Sequence, residues 1–302
     1  MPTSDTALIS NADFIGELIR VKDKLPTITT NKKETFFNIP AGFDIETSSF
    51  YVNGEKTAIM YEWTFGIGYV ENGQFSQLIT YGRTWDQLDT LLACIAGVLD
   101  LRERKRLVVY VHNLPYEWQF IRNRFSWTKV FFMDERKPVY AITSDCIEFR
   151  CSLKLSGKSL ANTAKDLLTY KTEKMVGDLD YTLIRHSGTP LTDQELKYCE
   201  HDIKVILCYI QEKIEQDGNI GQIPLTKTGY VRRYCKRAMF PEVEENFDAY
   251  EDVKTEAVGV CRTERMLSRR LYPRECPPGE LDSQRGWLLR LYQFIPGLHG
   301  GV

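Results

Sequence analysis

The chain of 302 residues carries 39 Lys and Arg against 41 Asp and Glu, a formal net charge of -2, with 43% hydrophobic residues. That length can bury a full core and admits two domains at most, or one domain with an extension. The charge balance excludes a global basic field, so a nucleic-acid partner would have to be gripped by local clusters, at residues 102–106, 232–237 and 265–270. The eight cysteines form no C-x-x-C pair and no Cys/His ladder of zinc spacing, and read as reduced thiols. With no signal peptide ahead of the first polar residues and no apolar run of membrane-spanning length, the expectation is a cytoplasmic protein with no membrane partner.

Residues 1–40 are polar, with a helical pattern over 13–22, and read as a lead-in outside the core. The stretch Ala41-Gly42-Phe43-Asp44-Ile45-Glu46-Thr47-Ser48 reads as a short apolar strand. Residues 61–70 and 74–81 are two further strand-like runs, joined by Glu71-Asn72-Gly73, where Asn-Gly supplies the positive φ angles of a tight hairpin. Thr84 with Gln87 forms a capping box, and the helix it opens places Leu88, Leu91, Leu92, Ile95 and Val98 at helical spacing. Residues 107–111 are apolar on both faces, as in a central strand, and a helix is predicted over 116–123. Three strands, a helix, a strand and a helix is the order of a ribonuclease-H-like sheet. The expected fold is therefore α/β, a mixed sheet flanked by helices with a partly helical C-terminal extension. A second hairpin is predicted from 139–143 and 147–151, a long helix from 193 to about 215, and basic helices and loops after Gly218.

Three places along this order carry chemistry. Asp44 and Glu46, two positions apart on a strand, leave the same face. Paired carboxylates at the end of a buried strand repel each other and resist desolvation, so the arrangement costs stability unless divalent cations neutralise it. Oxygen ligands of this kind suit Mg²⁺ or Mn²⁺. Asn113, Tyr116 and Glu117 follow the central strand, where active sites of open α/β sheets gather; Glu117 alone also fits a helix-N-terminal acid favoured by the dipole. Tyr198 and Asp202 stand four apart on one helix face, able to serve one metal and its water, although the pair by itself reads more readily as a core-edge phenol beside a surface acid. His201 lies off that face and reads as a packing or surface histidine.

Taken together, these stretches resemble the Exo I, Exo II and Exo III motifs of the proofreading domain of protein-primed family B DNA polymerases, the phage and linear-plasmid enzymes that begin synthesis on a terminal protein. Asp44 and Glu46 match D-x-E, Asn113 with Tyr116 and Glu117 match N-x-x-(F/Y)-D, and Tyr198 with Asp202 match Y-x-x-x-D. Ser152-Leu153-Lys154 resembles the (S/T)-L-x-x-h motif that holds single-stranded DNA and the terminal protein, and Gly177-Asp178-Leu179-Asp180-Tyr181 resembles G-D-I-D-Y. The similarity covers roughly residues 43–241. Departures are Glu117 in place of Asp, Ser156 where a hydrophobic residue closes the fourth motif, and Val176 in place of a lysine, leaving Lys174 to contact the scissile phosphate.

The resemblance implies a 3′–5′ exonuclease using two Mg²⁺ or Mn²⁺ ions, in the replication of a viral DNA and hence in host cytoplasm. Asp44 would bridge both ions, Glu46 and Asp202 would complete the coordination, Glu117 would act on the second ion or from behind it, and Tyr198 would orient the attacking water. Thr47, Asn113, Tyr116, Ser152, Leu153 and Tyr181 would grip a frayed 3′ end. It also implies an exonuclease domain over 41–217 and, over 218–302, an extension toward a polymerase domain. The polymerase motifs D-x-x-S-L-Y-P, K-x-x-x-N-S-x-Y-G and Y-x-D-T-D-S do not occur; residues 267–273 echo the first without its Asp, and Leu298 replaces the Tyr of a Y-x-G-G segment. Synthesis is thus not expected, and the implied partners are single-stranded DNA 3′ ends, a terminal protein and a separate polymerase subunit. The alternatives are a standalone ribonuclease-H-like exonuclease, or a DNA- or terminal-protein-binding module whose catalysis Glu117 weakens.

Overall fold

A computed structural model describes residues 8–172 and 183–239, with the backbone alone for 236–239. Lys174, the 177–181 stretch with Tyr181, and the polymerase-like echoes at 267–273 and 298–302 lie outside the described residues. In chain order the elements are α1 (Asn11–Val21), β1 (Thr27–Thr29), β2 (Thr35–Phe37), β3 (Ala41–Val52), β4 (Glu55–Glu71), β5 (Gln74–Gly82), α2 (Trp85–Val98), β6 (Lys105–Val111) and α3 (Leu114–Ile121). They continue with β7 (Trp127–Asp134), β8 (Lys137–Thr143), β9 (Ile147–Cys151), α4 (Ser152–Ser156), α5 (Leu160–Lys165), α6 (Asp193–Asp217) and α7 (Lys227–Met239).

The strands form one mixed sheet in the order β5-β4-β3-β6-β9-β8-β7. β3, β4 and β5 pair antiparallel, β6 runs parallel to both β3 and β9, and β8 and β7 fold back antiparallel at the far edge. This is the mixed α/β sheet flanked by helices that the element order leads one to expect. The Asn72-Gly73 turn has φ of 53° and 78°, as the hairpin requires. The Thr84/Gln87 capping box is present, and Leu88, Leu91, Leu92 and Ile95 are buried. Leu107 to Val111 are all at most 1% exposed, as a strand covered on both faces must be.

Strand alternation divides the core into two layers. Phe43, Ile45, Trp63, Phe65 and Val109 pack with α1, α2 and α3, whereas Val108, Tyr110, Phe75 and Ile79 pack with α5 and α6. Two glycines let α6 come close: a Cβ on Gly42 would stand 3.1 Å from Ile206, and one on Gly66 only 2.6 Å from Ile203.

The N-terminal residues are not outside the core. Phe14, Leu18 and Val21 of α1 are at most 1% exposed, and β2 pairs parallel with the start of β6. The polar composition of residues 1–40 conceals a one-sided apolar stripe at i, i+4, i+7, which is what an amphipathic covering helix needs. Strand β7 is also additional to the expected elements. Among the described residues no helix is long and apolar enough to cross a membrane.

Candidate metal centre

Register fixes the first candidate ligands. Asp44 of β3 faces Thr64 of β4, Glu46 faces Glu62, and the register shifts between Glu46 and Thr47. Residues of one parity share a face, so Asp44 and Glu46 follow Gly42 onto the side covered by α6, while Phe43 and Ile45 enter the opposite layer. The bulge ends that alternation and re-aims Thr47, whose hydroxyl makes a short hydrogen bond with the Tyr116 hydroxyl.

Helix α6 brings the third candidate ligand. It opens on a capping box in which Thr192 and Glu195 satisfy each other's backbone donors. Arg185 locks that end through a 2.5 Å ion pair with Glu195 and a backbone N–H donated to Ser48 Oγ at 2.9 Å. Arg83 donates to the carbonyls of His186 and Thr189, tethering the approach to the helix. Asp202, 3% exposed, then lies against β3, and one carboxylate oxygen each from Asp44, Glu46 and Asp202 fall within 4.8 Å of one another. Tyr198 is half-buried one turn earlier on α6.

The second expected stretch converges on the same place from β6. Asn113 takes up a left-handed conformation, φ 83°, turning the chain sharply into α3, where Pro115 fits the first turn. That turn buries Glu117 at 3% exposure with Oε2 lacking a hydrogen-bond partner among the described residues. Glu117 stands outside the close trio but beside Asp44. Burial, and next the Asp44 charge, push its carboxyl well above the usual range; Glu46 and a hydrogen bond to Asp44 add to this. A carboxyl pushed up in this way, by burial and by a neighbouring carboxylate, marks a site short of positive charge. Four carboxylates, with oxygen donors throughout, fit hard divalent cations such as Mg²⁺ or Mn²⁺.

The other expected contacts divide. Tyr116 is 42% exposed, its ring 5.5 Å from Phe120, at the mouth of the site. Leu153 is half-buried against the core. Ser152, expected on the strand-gripping surface, is 1% exposed; its hydroxyl donates to the Val111 carbonyl at 3.4 Å and lies 3.1 Å from His112 Nδ1. It braces the turn that carries Asn113.

Glu62 was not among the expected site residues. It is 1% exposed and accepts a 2.6 Å hydrogen bond from Thr64. Burial pushes its carboxyl up to about 7, against the opposing hydrogen bonds of Thr64 and Cys199. Burial, then the charges of Glu62, Glu46 and Asp44, drive the Cys199 thiol well above its ordinary value. The sequence did carry a signal: an acidic residue inside an otherwise apolar strand needs a partner.

No family model and no curated protein matches the chain. Among solved structures it is similar to Phi29 DNA polymerase complexed with single-stranded DNA, at 16% identity and TM-score 0.49, over 68% of this chain and 36% of that one. It is similar to the orthorhombic crystal form of Phi29 DNA polymerase at 17% identity and TM-score 0.44, over 63% and 32%. The Aedes aegypti Nibbler EXO domain aligns at 10% identity and TM-score 0.31, over 72% and 94%. The chain thus spans about a third of the length of the polymerases it matches.

Proposed function

We propose that this chain is a divalent-cation-dependent 3′–5′ exonuclease that trims single-stranded DNA ends, the editing part of a protein-primed polymerase system that does not itself copy DNA. The observation that carries the reading is the convergence of Asp44, Glu46 and Asp202 within 4.8 Å, from a strand and a helix far apart in sequence, with Glu117 buried beside them. Repelling carboxylates gathered where Asp202 and Glu117 are buried and Asp44 and Glu46 partly so have no structural use that an apolar cluster would not serve better.

Asp44, Glu46 and Asp202 would hold the cations, with Glu117 completing the set on the Asp44 side. Bound there, two such ions would supply Lewis-acid stabilisation of a phosphodiester under in-line attack. Tyr198, one turn from Asp202, would hold the attacking water by its phenol. Thr47 and Tyr116, joined at the site mouth, together with Asn113 and Leu153, would orient the terminal nucleotides by stacking and backbone contacts. Lys174 and Tyr181 belong to the same proposed grip, and Ser152 supports it by fixing the turn after β6. The fourth-motif stretch at 152–154 extends the reading to a terminal protein and, through it, to a polymerase subunit as partners.

A 5′-labelled single strand incubated with Mg²⁺ should shorten from its 3′ end as a ladder, and EDTA or the change Asp44→Ala with Glu46→Ala should abolish the ladder. Undiminished cleavage by that variant would overturn the site assignment. Cleavage of an RNA strand at the same rate would remove the restriction to DNA.

A further inference from the structure

At the opposite end of β6 from the carboxylates lies a cavity of about 410 Å³ whose charge is the reverse. Its walls include Lys32, Arg106, Lys129 and Arg150 against Glu34 and Glu148, four cations to two anions, with Phe36 and Tyr140 as aromatic surfaces. Both carboxylates are already engaged. Arg150 Nε donates to Glu148 Oε1 at 2.7 Å, Arg106 Nε lies 3.3 Å from Glu148 Oε2, and Arg106 Nη2 reaches Glu34 at 2.5 Å.

The two arginine side chains are each only 9% exposed, and their guanidinium groups stand 5.0 and 5.6 Å from the Phe36 ring. Packing and pairing therefore fix them in place. The Nε of Arg106 makes no well-aligned hydrogen bond despite its burial. Lys32 and Lys129 sit at the rim and form no ion pair among the described residues; Lys129 lies 5.6 Å from the Tyr140 ring centroid. Glu34 and Glu148 balance the two ordered arginines, so the excess of two positive charges rests on exposed Lys32 and Lys129, an arrangement suited to a doubly charged phosphate group. The volume exceeds what a bare anion fills and falls in the range of small-ligand sites.

We propose that this cavity binds the phosphate monoester of a nucleotide, with Arg106 and Arg150 as the ordered base of the site, Lys32 and Lys129 closing on the phosphate, and Tyr140 flanking the nucleoside. The binding is independent of the carboxylate centre, and its test does not require cleavage.

Full-length protein in EDTA should be titrated calorimetrically with dTMP, thymidine, inorganic phosphate, and short oligothymidylates with or without a 5′-phosphate. The expected result is binding of dTMP, or of the 5′-phosphorylated strand if the source is a strand end. Thymidine should not bind, and the change Lys32→Ala with Lys129→Ala should weaken binding at least ~10-fold. Both lysines are exposed, so that variant keeps its fold, and Asp44→Ala should leave the affinity unchanged. Equal affinity for thymidine and dTMP, full affinity in the double lysine variant, or no binding of any phosphorylated probe would overturn the proposal. Inorganic phosphate binding as tightly as dTMP would overturn its nucleotide part.

Discussion

The two ends of strand β6 handle charge in opposite ways. At the start of the strand, Arg106 and Arg150 share Glu148, and Glu34 closes the network, so buried ions balance one another within the chain. Past the end of the strand, Asp44, Glu46, Asp202 and Glu117 are gathered with one sign, and burial together with the Asp44 charge pushes the Glu117 carboxyl well above the usual range. The first arrangement is complete without a cation. The second is a cluster of one sign that a bound cation would relieve, which is why the proposed chemistry is placed there.

Removing a charge should therefore have opposite effects at the two ends. Arg150→Met takes from buried Glu148 the closer of its two arginine partners and should cost about 3 kcal/mol in urea unfolding. Asp202→Asn in EDTA should raise stability, because it relieves repulsion; a loss as large as that of Arg150→Met would break the contrast.

The pH response sharpens it further. Glu62 has a folded pKa of about 7 against roughly 4.3 when unfolded. Between those values the unfolded chain has released a proton that the folded chain still binds, so stability falls as pH rises through that window, and is fully restored below it. Glu62→Gln should thus gain on the order of 3 kcal/mol over wild type at pH 8 and nothing at pH 4. A gain that does not vary with pH would mean that packing, not the proton, sets the effect.

A smaller effect is expected from geometry. Gly66→Ala puts a methyl 2.6 Å from Ile203 and 3.0 Å from Leu207, which should cost about 1–3 kcal/mol and lower cleavage by shifting Asp202 away from β3. Gly42→Ala, with 3.1 Å to its nearest neighbour, should do less of both. Equal cleavage in the two variants would show that the approach of α6 does not set the site.

Much of this was legible in the sequence where local chemistry and period agree. The Asn72-Gly73 turn, the Thr84 capping box and the apolar run at the centre of β6 each carry their own physical signature. Strand parity put Asp44 and Glu46 on one face, whereas joining Asp202 to them came only from the motif resemblance, since helix phase cannot say what a helix packs against. Strand β7 was not, since its mostly exposed residues lack alternation and its order comes from pairing with β8. The same turn signal recurs at Asn53-Gly54, with φ of 51° and 84°, between strands longer than their apolar cores suggest. Ser152 shows the limit for side chains: the position was found, but its burial under the β6 turn depends on tertiary packing.

The most direct test of the carboxylate centre is Mn²⁺ binding by electron paramagnetic resonance on the full chain. About two ions per chain are expected for wild type, with tight binding lost in Asp44→Ala and kept in Lys32→Ala. Wild-type protein that binds no Mn²⁺, or Asp44→Ala that binds as much as wild type, would contradict the account.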